Sequence, residues 1–103
     1  MILIDSNLEN INRLCEKHKV KQLYVFGSIL TDKFRESSDV DLLIQFGGMN
    51  VLDYFDNYMD FKENLENLLG KKVDLIEDQA IRNPVFRKIV DREKQLIYER
   101  KDA

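Results

Sequence analysis

Two aspartates separated by one valine open the apolar run Asp39-Val40-Asp41-Leu42-Leu43-Ile44-Gln45-Phe46. Successive side chains of a β-strand point to opposite faces, so both carboxylates fall on the same face. Their α-carbons stand roughly 6.6 Å apart, two steps of ~3.3 Å. Two unit charges at that spacing repel by on the order of 2 kcal/mol at an effective dielectric near 20. That is a sizeable part of the ~5–15 kcal/mol that keeps a domain folded. A fold that keeps the pair needs positive charge between them. A divalent cation such as Mg²⁺, whose oxygen ligands are shared with substrate phosphates, answers that need.

A third carboxylate sits in the same kind of setting. Asp74 interrupts the strand-like segment 71–77, between Val73 and Leu75. If that strand lies beside 39–46, Asp74 faces the same hollow. Three carboxylates on neighbouring strands can hold two metal ions, which clamp the attacking and leaving oxygens of a phosphoryl displacement. Gly27-Ser28 stops the apolar run Leu23–Phe26. The glycine can adopt backbone conformations closed to other residues. The serine would open a helical turn whose free N–H groups suit a triphosphate, and its hydroxyl adds a donor. Singly, each aspartate could be an edge-strand charge and Gly-Ser an ordinary turn. Their joint occurrence favours a site.

The rest of the chain supplies a frame. Ser6, with Glu9 three residues on, reads as the capping box of a helix over 7–18. The spacing of apolar residues predicts a long helix over 50–69 stopped by Gly70. Asn83-Pro84 starts a further helix reaching about Arg92. Residues 29–38 form a polar connection with one helical turn at its start. Residues 95–99 fit either an edge strand or a continuation of the last helix. The order helix, strand, strand, helix, strand, helix predicts an α/β (α+β) fold: a small mixed sheet with helices packed on one side.

Composition narrows the function classes. The 103 residues, 44% apolar and 34% charged, fit a single domain, 1–103. A net charge of −3 offers no strong field for direct nucleic-acid binding. No apolar run approaches the ~20 residues of a membrane span, and no signal peptide is evident, so the expected compartment is the cytoplasm. The single cysteine, Cys15, excludes an internal disulfide and is expected to pack as a small hydrophobe. His18 is expected near the end of the first helix, where a protonated ring suits the helix dipole. Lys33, Arg35, Arg82, Arg87 and Lys88 read as solvated surface rather than phosphate contacts. Tyr54, Phe55, Tyr58, Met59 and Phe61 form an apolar face wide for one buried stripe, part of which could pack on a partner.

Gly27-Ser28, ten residues, then Asp39-Val40-Asp41 resembles the G-S-x10-D-x-D signature of the polymerase-β-like nucleotidyltransferase superfamily. The short chain resembles its minimal nucleotidyltransferase (MNT) branch over nearly its whole length. The resemblance implies that Gly27 and Ser28 hold the nucleoside triphosphate. It also implies that Asp39 and Asp41 ligate Mg²⁺, and that Asp74 completes the metal site and helps deprotonate the acceptor hydroxyl. All three aspartates would then be catalytic. The implied reaction is transfer of AMP from ATP, with pyrophosphate released and two Mg²⁺ ions in the full set. The helical acceptor domain of aminoglycoside nucleotidyltransferases has no counterpart here, which implies that another protein supplies the acceptor. Chains of this kind resemble antitoxins paired with HEPN ribonuclease toxins, which adenylylate a toxin tyrosine. The expected partner is therefore a HEPN-type toxin, in a possible hetero-oligomer. Two alternatives stay open: an antitoxin that only sheathes its toxin, and a nucleotidyltransferase acting on a small molecule with a helical partner subunit.

Overall fold

The computed structural model describes residues 1–101. Four strands form one sheet: β1 (Val20–Phe26), β2 (Val40–Phe46), β3 (Val73–Glu77) and β4 (Gln95–Glu99). Their order across the sheet is β3-β2-β1-β4. β1 runs antiparallel to both β2 and β4, and β2 runs parallel to β3, so the sheet is mixed. Residues 95–99 are thus the edge strand, not a continuation of the helix before them. The helices are α1 (Ile2–Asp5), α2 (Leu8–Lys17), α3 (Val51–Leu69) and α4 (Pro84–Glu93), with short 3-10 turns at Gly27–Leu30 and Asp78–Ala80. No helix among the described residues is long and apolar enough to cross a membrane.

Strand alternation divides the apolar side chains between the two faces. Leu23, Val25, Val40, Leu42, Ile44, Val73 and Leu75 join Ile11 and Cys15 of α2 and Phe61, Leu65 and Leu69 of α3 in the larger core. Phe26 and Leu43, on the opposite face, pack with Val90 of α4, with Tyr24, Ile76 and Phe86 around them. The expectation of helices on one side therefore holds for α1 to α3 but not for α4. Phe26, Leu43 and Ile76 need cover of their own, and α4 provides it.

Two helix ends follow their capping residues. The Asn50 side chain accepts from the Leu52 N–H at 2.8 Å, and Gly70, at φ +67°, closes α3 by donating to the Glu66 carbonyl. The Asn83 side chain accepts from the N–H groups of Val85 and Phe86 ahead of Pro84. The first helix departs from expectation. Ile2–Asp5 forms its own turn, which buries Ile4 in the core. The Ser6 hydroxyl donates to the Ile2 carbonyl at 2.7 Å, closing that turn rather than opening the next. Asn7 precedes α2 and makes no side-chain cap. His18, at the end of α2, is 3% exposed and packs against Phe61. Its Nδ1 meets the Leu14 carbonyl at 2.8 Å and its Nε2 the Asp60 carboxylate at 2.6 Å. Each ring nitrogen therefore has an oxygen acceptor within reach of any proton it carries.

Candidate active site

The end of β1, the start of β2 and the start of β3 lie side by side. Phe26 pairs with Asp41 across the β1–β2 ladder, and Asp41 pairs with Asp74 across the parallel β2–β3 ladder. The two aspartates therefore occupy adjacent strands ~4.8 Å apart and project to the same face, the one covered further along by α4. Asp39 precedes β2 and is exposed; Asp41 is half-buried; Asp74 is exposed on the edge strand. The expected juxtaposition of Asp41 and Asp74 is present, and Asp39 lies two residues before Asp41 on that same run.

Gly27 completes the corner. It has φ +83°, in the left-handed region that disfavours side chains. A β-carbon there would overlap Oδ2 of Asp41 and stand 3.1 Å from its Cγ. Two independent constraints, conformation and space, thus demand glycine at the position facing Asp41. The 3-10 turn Gly27–Leu30 follows. The Ser28 carbonyl accepts from the Thr31 N–H at 2.9 Å and from its hydroxyl at 2.8 Å, fixing the turn. The Ser28 hydroxyl makes no hydrogen bond among the described residues.

Electrostatically the corner carries uncompensated negative charge. Burial first, then the Asp74 and Asp39 carboxylates, push the Asp41 carboxyl above its usual range. Among the described residues none of the three aspartates forms an ion pair. Nor do any three acidic, histidine or cysteine side chains among the described residues converge closely enough to hold a metal ion by themselves. An open group of carboxylates suits magnesium, which keeps waters and substrate oxygens in its coordination shell. The donor set, all hard oxygen and all like-charged, fits that ion.

Residues outside the signature hold these side chains in place. The Val73 N–H donates to Oε2 of Glu66 at 2.9 Å, and the Tyr58 hydroxyl donates to the Leu75 carbonyl. Two α3 side chains thus bind the backbone just before and just after Asp74. Burial, then Asp74 and Glu77, raise the Tyr58 phenol above its usual pKa and keep it a donor. Lys71 holds the loop before Asp39: its Nζ donates to the carbonyls of Arg35 (3.1 Å) and Glu36 (2.6 Å) and lies 4.8 Å from the Phe34 ring centroid. Sequence reasoning missed Tyr58, Glu66 and Lys71, because only the packing of α3 against β3 gives them these partners.

The remaining cations serve the fold. Arg35 binds carbonyls of its own loop, Arg82 binds the Gln79 carbonyl, and Arg87 ties α4 to Asp78 with a second contact to Asp91. Lys33 and Lys88 are exposed. Cys15 is fully buried and its thiol is pushed up to about 12, chiefly by burial, which makes it a poor nucleophile.

The chain is similar to known proteins. Residues 9–103 match the family described as polymerase beta, nucleotidyltransferase. A Methanocaldococcus jannaschii protein, provisionally named protein adenylyltransferase MJ1379, is 40% identical over 85 residues, covering 82% of each chain. A solved structure described provisionally as a minimal nucleotidyltransferase superposes with a TM-score of 0.73 at 33% identity, over 89% of this chain and 90% of that one. A chain from the solved complex of a tri-AMPylated Shewanella oneidensis HEPN toxin with its MNT antitoxin shares the fold. Its TM-score is 0.63 at 18% identity, over 93% of this chain and 72% of that chain. With the signature corner in place and the match spanning nearly all of its length, the chain belongs to the polymerase-β nucleotidyltransferase family and is a nucleotidyltransferase.

Proposed function

We propose that this protein transfers AMP from ATP to a tyrosine hydroxyl of a HEPN-type ribonuclease toxin, in a Mg²⁺-dependent reaction, and so acts as the toxin's antitoxin. The observation that carries the proposal is the registered pair Asp41–Asp74, with Gly27 pressed against the Asp41 carboxylate. Provisional naming of the M. jannaschii relative as a protein adenylyltransferase supports a protein acceptor. The fold-level likeness to an MNT antitoxin solved with its AMPylated HEPN toxin supports the choice of partner.

The roles divide by position. Gly27 lets the backbone of the 3-10 turn come close to the triphosphate, and the Ser28 hydroxyl donates to a phosphate oxygen. Asp39 and Asp41 would hold the metal, and Asp74 would complete the set. Magnesium, when bound there, neutralises phosphate charge and makes the α-phosphorus more electrophilic. The acceptor oxygen attacks that phosphorus. The bond to the bridging oxygen of the departing pyrophosphate breaks, and the acceptor proton passes to the Asp74 carboxylate. Alignment and charge complementarity supply most of the acceleration. The AMP added to the toxin is bulky and anionic, and it opposes RNA binding by sterics and repulsion.

Incubation with labelled ATP, Mg²⁺ and the product of the neighbouring gene tests the proposal. Label is expected on that protein, and replacing its acceptor tyrosine with phenylalanine should remove it. An intact mixture that yields no labelled partner overturns the assignment.

A further inference from the structure

α3 carries an apolar face that the fold leaves open. Val51 and Leu52 are each 85% exposed, Phe55 67% and Met59 42%. At 100° per residue these four positions fall within an arc of roughly 100° on the first half of the helix. Single exposed apolar residues are ordinary, but a contiguous group marks an interaction site. Beside this face opens a hollow of about 400 Å³ walled by Tyr54, Phe55, Tyr58, Leu75, Ile76 and Ala80. It is large enough to receive an aliphatic or aromatic anchor, the usual centre of a protein interface.

The charges around the face select the occupant. α3 holds five acids (Asp53, Asp56, Asp60, Glu63 and Glu66) and one base, Lys62. Asp60 is engaged by His18, and Glu66 by Lys62 and the Val73 N–H. Asp53, Asp56 and Glu63 form no ion pair among the described residues, and Glu77 stands at the rim of the hollow. A second copy of this chain would set acid against acid across the contact, as would an anionic lipid surface. A helix with an apolar stripe flanked by lysine or arginine satisfies both the stripe and its border.

We propose that the first half of α3 and the hollow beside it dock a basic amphipathic helix of the protein that accepts AMP. The hollow is walled in part by Leu75 and Ile76, the residues that follow Asp74 on β3. The hollow opens on the α3 side of the sheet while Asp74 projects to the other face, so a helix seated there approaches the carboxylate corner around the free edge of β3. Only the identity of the occupant as acceptor rests on the AMP-transfer proposal; the binding itself does not.

Fluorescence anisotropy with three synthetic peptides of 18 residues tests this. One is an amphipathic Leu/Lys helix, one its Leu/Glu counterpart, and one a scramble of the first with its leucines dispersed. The Leu/Lys helix is expected to bind at least ten-fold more tightly than either control. Leu52→Ser with Phe55→Ser should weaken it by at least ten-fold. Asp53→Lys with Asp56→Lys should shift preference toward the Leu/Glu helix. These positions are exposed, so the variants should keep the wild-type melting temperature. Equal binding of helix and scramble, or no change in either double variant, overturns the proposal. So does a dimer in sedimentation that Phe55→Ser dissolves, since the face would then belong to a second copy. Assaying AMP transfer by the wild-type protein alongside the titration separates the two claims. Retained binding without AMP transfer to any protein would sink the reaction and leave the docking face standing. Transfer that survives loss of the α3 face would do the reverse.

Discussion

Gly27 and Asp41 are in direct opposition: the α-hydrogen side of the glycine faces the aspartate carboxylate with no room for a β-carbon. The first prediction follows from that contact. Gly27→Ala must either leave φ +83° or displace Asp41. It should cost about 1–3 kcal/mol in denaturant unfolding and lower nucleotide transfer by at least about 10²-fold. Ser28→Ala, which removes a hydroxyl with no hydrogen-bond partner among the described residues, should reduce transfer while leaving the unfolding midpoint in place.

Asp41→Asn should make the metal-free protein more stable at neutral pH. The folded carboxyl titrates above its usual value of 3.8 because of burial, Asp74 and Asp39. The folded state therefore favours the protonated form, and stability falls as pH rises through the shifted value. At pH 7 the variant should therefore melt above the metal-free wild type. Thermal melts at pH 7 and below pH 3.8 should show the difference present at the first and absent at the second.

Magnesium should reverse that order. A cation bound only by the folded chain stabilises it by about 2.7 kcal/mol at a hundred times its dissociation constant. Mg²⁺ with a non-hydrolysable ATP analogue should raise the melting temperature of the wild type. Asp39→Asn, Asp41→Asn and Asp74→Asn should respond weakly and lose at least about 10²-fold in transfer rate. An equal thermal shift in all four proteins would place the ion elsewhere.

Tyr58→Phe isolates the hold of α3 on the strand of Asp74. It removes one donor and leaves the Leu75 carbonyl unpartnered, at a cost of about 1 kcal/mol. Hydrogen exchange should quicken in 73–77 before it does in β1. The transfer rate should fall by more than the stability loss explains, with the Mg²⁺ concentration for half-activity raised. Unchanged magnesium dependence would make Tyr58 a packing residue alone.

Asp60→Asn should weaken the protein above pH 3.8 and matter less below it. The hydrogen bond from His18, first among several effects, holds the Asp60 carboxyl below its ordinary value of 3.8. Its contribution is present once the unfolded carboxylate ionises and is lost as pH falls through the lower folded value. Melting curves of the two proteins should converge in acid.

The carboxylate corner was readable because its information is local. Strand alternation alone places Asp39 and Asp41 on one face, and Gly-Ser announces the bend. The long helix was readable too, since Asn50 and Gly70 cap it in the way their side chains dictate. What escaped depends on distant partners. Ser6 has the residue type of an N-cap, but the preceding turn claims its hydroxyl. α4 has an amphipathic face that does not say which side of the sheet it covers; Phe26 and Leu43 decide that. Residues 95–99 were balanced between strand and helix until pairing with β1 resolved them. The roles of Glu66, Tyr58 and Lys71 leave no mark in spacing, since each binds a backbone group of another element.

The clasp of Glu66 and Tyr58 on β3 has a further effect on assembly. An outermost strand normally offers its free peptide groups to any extended chain that passes. Here two of those groups are already spoken for by a helix. Strand addition on that flank would require α3 to lift away. The opposite margin, along β4, has no such clasp and is the more open to an added strand.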